Sequence, residues 1–184
     1  MRLDPERDTL LKALADRRRF LLSSADGLSD EQARLAPTVS DLTIGGLIKH
    51  VSATEQGWVD FILHGEPDDG ADWNSVDFAA MDLRDPDTIP AFVLARMDEF
   101  TLREDQTLAE TIEAYRRVAA RTEDVVAGLD NLDVRHDVAP APWVEPGATM
   151  SAREVLTHLI GETAQHAGHA DIIRETIDGR KSMG

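Results

Sequence analysis

Apolar residues return every three or four positions in four long stretches of the chain, and nowhere do apolar and polar residues alternate as a half-buried strand requires. The first stretch runs from about Pro5 to Ser24, with Leu10, Leu11, Leu14, Leu21 and Leu22 at helical spacing. Pro5 suits a first helical turn, where a missing N–H costs nothing, and Gly27 follows the end. The second, LTIGGLIKHVSATEQGWVDFIL, covers about Leu42 to Leu63 and is stopped by Gly65 and Pro67. The third begins at Thr107, has Glu110 three residues on, and ends near Ala127 before Gly128. The fourth opens with Ser151 and Glu154, a capping-box pattern, and ends near Asp178–Gly179. Ser29 and Gln32 make a similar pair at a short turn in LSDEQARL.

Between the second and third stretches, residues 66–106 are rich in loop-forming residues, with Pro67, Pro86, Pro90 and many aspartates. One short helix is expected there, around Ile89–Phe100. Long loops inside compact domains are often functional, so this segment reads as part of one domain spanning residues 1–184. A second loop, VAPAPWVEPGATM, leads into the fourth helix, and no internal repeat is present. Four amphipathic helices predict an all-α fold: a four-helix bundle with a long loop after the second helix.

Composition narrows the functions available. The 184 residues are 42% hydrophobic, enough to bury a core, yet no apolar run approaches the ~18 residues of a membrane span. The start, MRLDPERDTLLKAL, puts charges where a signal peptide keeps its apolar stretch, so a cytoplasmic location is expected. There is no cysteine, which excludes disulfides, thiolate ligands and a cysteine nucleophile. Any thiol chemistry must then use a thiol brought in by a small molecule. A formal net charge of −16 argues against a nucleic-acid partner, which needs Lys and Arg to neutralise phosphates. The basic residues are scattered except for Arg17, Arg18 and Arg19, expected as a solvated face of the first helix.

The six histidines carry more information. At ~100° per residue, with His158 at 0°, Glu162 falls near 40°, His166 near 80° and His169 near 20°. Val155 and Ile173 fall near 60°, Leu159 and Ile177 near 100°. Arg153, Asp171 and Arg174 are expected on the far, wet side. The polar stripe therefore shares the apolar arc, where unpartnered carboxylates and imidazoles cost several kcal/mol. On the second helix His50 points the same way as Leu47, Val51, Trp58 and Phe61. Metal sites in bundles are built in this way, from side chains on facing helices. Spacing alone leaves two readings open: hydrogen-bonded core histidines, or ligands of a metal. The His-Glu-x-x-His pattern of zinc proteases is absent.

The pairing of TIGGLIKHVSATEQGW with GETAQHAGHADIIRE resembles the DinB-like superfamily over essentially the whole chain. The resemblance is strongest to the branch whose last helix carries E-T-A-x-H-x-G-H-A-D. It implies a bundle holding one divalent metal, zinc or nickel, with one ligand from the second helix and two from the fourth. His50 matches the first, and Glu162 and His166 match the pair, as in the maleylpyruvate isomerase branch. His169 stands where many members carry Gln and is a fourth ligand or a support for the others. His158 is expected in the core or behind the ligands, and His64 and His136 on the surface.

The resemblance also implies a low-molecular-weight thiol such as mycothiol as cosubstrate, a homodimer, and S-transfer or isomerisation of a small molecule. Trp58 and Trp143 are candidates for a pocket wall as well as for plain packing. An alternative keeps the same ligands in a non-catalytic, dimeric metal-binding bundle. Hydrolysis by a metal-activated water would use them too.

Overall fold

The computed structural model describes residues 4–67, 71–82 and 85–181. The four long helices are α1 (Pro5–Ser23), α3 (Ile44–His64), α5 (Leu108–Gly128) and α6 (Ala152–Asp178). Two short ones, α2 (Asp30–Ala33) and α4 (Ala91–Asp98), lie in the connections. The capping signals act as expected: Ser29, Thr107 and Ser151 each accept from a backbone N–H three residues on, and Gln32, Glu110 and Glu154 reach back to the cap.

Charged contacts give the directions of the helices. Arg153 at the start of α6 pairs with Glu6 at the start of α1, while Arg174 near its end meets the Ser24 and Asp26 carbonyls, so α1 and α6 run parallel. Lys49 early in α3 reaches Gln106, just before α5, and Asp60 late in α3 pairs with Arg121 late in α5, so these two also run parallel. Parallel neighbours cannot be joined by a tight turn. The chain must travel back along the 21 residues of α3, ~30 Å. That return is the physical reason for the long segment 65–107, as expected from its composition.

Around the bundle, α1 packs on α6, α6 on α3, α3 on α5, and α5 on α1. The interior has two apolar halves. Leu21, Leu47, Ile48, Val51, Leu108 and Ile173 fill one; Leu14, Phe61, Ile62, Val126, Leu156 and Leu159 fill the other. Between them lies a polar layer, with Arg18 from α1, Glu55 from α3, Thr122 from α5 and Thr163 from α6, all buried. Arg18 grips Glu55 with both Nε (3.0 Å to Oε2) and Nη2, and Thr122 Oγ1 donates to the same carboxylate. Tyr115 of α5 turns its hydroxyl into this layer. Burial first, and then the Glu55 charge, push its phenol well above the ordinary value.

Three expectations are corrected here. Arg18 is not part of a solvated triplet, since its side chain is 6% exposed and paired across the bundle. Arg174 is not on a wet face either. It lies only ~60° beyond Ile177 on the helix, at the flank of the apolar arc. There it is buried, bonded to the Ser24 and Asp26 carbonyls (2.7 and 2.9 Å) and to Asp178. Strand pairing also occurs: β1 (Arg135–Asp137) and β2 (Thr149–Ser151) form an antiparallel hairpin, with His136 opposite Met150. Three residues are too few for a period of two to stand out from loop sequence.

Candidate metal centre

Helical rise places Glu162 and His166 one turn apart on α6, and α3 crosses opposite with His50. His50 is 2% exposed and His166 8%. Glu162 Oε1 stands 3.5 Å from His50 Nε2 and 3.3 Å from His166 Nε2. One ligand atom from each of the three residues falls within 4.8 Å of the others. For bonds of ~2.0–2.2 Å, tetrahedral coordination sets neighbouring ligand atoms ~3.4 Å apart. The separations of 3.5 and 3.3 Å match that edge, so the residues present fit a divalent cation. The donor set, two imidazoles and a carboxylate, suits zinc and nickel alike.

The direction of the His166 shift agrees. Burial chiefly, and then the neighbouring His50, hold His166 below its ordinary pKa, with Glu162 pulling the other way. A neutral imidazole is the form that binds metal. Exposure grades along the stripe as the wheel angles do. His166, deepest in the arc, is buried; Glu162 and His169 are half-buried; His158, at the rim, is exposed. The centre therefore opens to solvent along one edge of α6, and the Glu162 side chain, 24% exposed, stands at that opening.

His169 approaches His166 from behind, Nδ1 to Nδ1 at 3.4 Å, away from the nitrogen that faces Glu162. His158, expected in the core or behind the ligands, is instead exposed, its ring edge-on to Trp58 at 5.1 Å. His64 is exposed, as expected. His136 is not a surface residue: it sits half-buried on β1, with Nε2 3.1 Å from the Ile62 carbonyl and its ring edge-on to Phe61. Trp143 is 65% exposed and leans on Trp73, in a surface group with Phe78 and Phe92.

Periodicity left three further residues at this centre undetected. Phe100 stacks on the His50 ring at 3.7 Å and 19°. Glu99 brings Oε2 to 3.4 Å from His50 Nδ1, and Arg96 holds the same oxygen at 2.6 Å. Arg96 lies in the last turn of α4, and Glu99 and Phe100 follow its end, inside the short helix expected around Ile89–Phe100; helical spacing alone did not relate that helix to His50.

The parallel pairs α1/α6 and α3/α5, with a His–Glu–His cluster between α3 and α6, agree with the bundle that the DinB-like resemblance implies. The family model described as mycothiol-S-transferase matches residues 9–179, and the chain belongs to that family. A solved structure described as the conserved protein of a locus from Enterococcus faecalis matches with a TM-score of 0.62 and 16% identity. The match covers 94% of this chain and 97% of that one, and at such identity it speaks for the fold alone. No curated protein matches the chain. Among the described residues no helix is long and apolar enough to cross a membrane.

Proposed function

We propose that this protein is a metal-dependent transferase acting with a low-molecular-weight thiol, mycothiol by family, on a small-molecule acceptor. His50, Glu162 and His166 are the proposed ligands of a zinc or nickel ion, and His169 the support that orients His166. The observation that carries the reading is the His50–Glu162–His166 cluster, whose spacing fits a cation and whose Glu162 side stands open. Three protein ligands would leave a position open on a bound cation, which would supply the charge that lowers a thiol's pKa. The absence of cysteine accords with a thiol supplied from outside. Around that position the chain's own part is to hold two imidazoles, cover the His50 side with Phe100, and leave the Glu162 side accessible. The resemblance supports a homodimer as part of the same proposal.

Native mass spectrometry with zinc, nickel and mycothiol tests it. One metal per chain, and added mass from the thiol only on the metal-loaded form, are expected. Less than a tenth of an equivalent of metal after reloading would overturn the reading. His166→Ala separates catalysis from a purely structural metal: lost turnover with an intact fold supports the transferase. A large stability loss with turnover intact contradicts it.

A further inference from the structure

We infer that Glu99 is a positioning residue for His50, and that Gly45, Gly46 and Lys49 dock the chain segment that delivers it. The inference rests on the metal-centre reading above, but is carried by separate contacts. His50 turns Nε2 toward Glu162 and Nδ1 toward Glu99, whose Oε2 lies 3.4 Å away. Among the described residues the fully buried Nδ1 makes no hydrogen bond, and the Glu99 carboxylate stands within ion-pair range of it. A neutral imidazole carries one proton. A carboxylate behind Nδ1 holds the proton there and leaves the Nε2 lone pair for a cation, as carboxylate–histidine–metal arrangements do. Arg96 binds the same Glu99 oxygen at 2.6 Å and reaches Thr54 Oγ1 at 3.4 Å, which ties the carboxylate to α3.

Glu99 is not on a helix, so something must place it. The chain after α4 lies directly on the start of α3, and the glycine pair makes that approach possible. A Cβ on Gly46 would meet the Phe100 carbonyl oxygen at 1.9 Å, and one on Gly45 the Leu102 side chain at 2.5 Å. Lys49, one turn later, donates to the Asp98 and Thr101 carbonyls, both at 2.9 Å, and to Asp98 Oδ2 at 3.0 Å. Residues flanking Glu99 and Phe100 are thus pinned on both sides. The stretch Gly45-Gly46-Leu47-Ile48-Lys49-His50 is one unit: its first half seats a loop, and the loop's side chains orient its last residue.

The test combines ring NMR of the metal-free protein with zinc affinity by chelator competition, on the full chain. In the wild type, nitrogen shifts of His50 should report the Nδ1–H tautomer. Glu99→Leu should lose that tautomer and weaken zinc binding about 10- to 100-fold. Glu99→Gln, still an acceptor, should retain the tautomer and lose less affinity. Gly46→Ala, which displaces the segment without touching Glu99, should reproduce the Glu99→Leu loss while far-UV circular dichroism stays helical. An Nε2–H tautomer in the wild type, or affinity within about 3-fold for both Glu99→Leu and Gly46→Ala, overturns the inference. A wild type that takes up no zinc sinks the functional reading instead, and the tautomer still decides the role of Glu99.

Discussion

Arg18 and Glu55 meet as a two-pronged ion pair in the middle of the bundle, with exposures of 6% and 0% for their side chains. Taking two charges out of water costs as much as their attraction returns, so such a pair adds little net stability while complete. Breaking it is different. Glu55→Leu leaves the buried guanidinium with its long 3.4 Å contact to the exposed Glu123 and should cost about 3 kcal/mol in urea unfolding. The double variant Arg18→Met, Glu55→Leu should recover most of that loss. A single variant within 1 kcal/mol of wild type would show the pair to be idle.

The candidate ligands predict a metal-linked stability. Zinc at about 100-fold its Kd should add roughly 2.7 kcal/mol to unfolding free energy. His50→Ala and His166→Ala should abolish that increment in thermal melts. His158→Ala, on the exposed rim, should leave it intact.

Acid should destabilise the fold through a defined set of carboxylates. Glu6 is held below its ordinary pKa by Arg153, Glu154 by the Ser151 hydroxyl, and Asp178 by Arg174. A depressed folded pKa means the unfolded chain binds protons first as pH falls. Their stabilisation is complete above the unfolded value near ~4 and is lost as pH drops through the lower folded values. Equilibrium unfolding followed from pH 6 downward should show this slope, and Glu6→Gln with Asp178→Asn should flatten it.

The cap of α6 is a local test. Ser151 accepts from the Glu154 N–H and Glu154 returns to the Ser151 N–H. Ser151→Ala should cost about 1 kcal/mol. Because Ser151 is also the last residue of β2, amide exchange should rise in the hairpin and in the first turn of α6 together.

Helices, caps and the inward turn of His50, Glu162 and His166 were legible from spacing, because a helix repeats every 3.6 residues and its faces follow from arithmetic. Arg18 was read as part of a surface run, although its place four residues after Leu14 and three before Leu21 puts it on the apolar stripe of α1. What spacing could not supply is its partner, Glu55, 37 positions away. His158 erred in the opposite sense: its angle lies at the edge of the apolar arc, and which edge is covered depends on the neighbouring helix. Glu99 and Phe100 fall at the end of the short helix expected around Ile89–Phe100, and nothing in its spacing says that this end meets His50.

The chain by itself thus determined four helices, their ends, and a stripe of ligand-type side chains, since each is set by residues within a turn or two of one another. Only the tertiary structure decided which charges are buried, which rim of the stripe opens, and which loop residue stands behind His50. Those outcomes depend on distant segments approaching within hydrogen-bonding range. Parallel pairing of α3 with α5 forces the return loop past the metal centre, and two glycines let it lie close enough to matter.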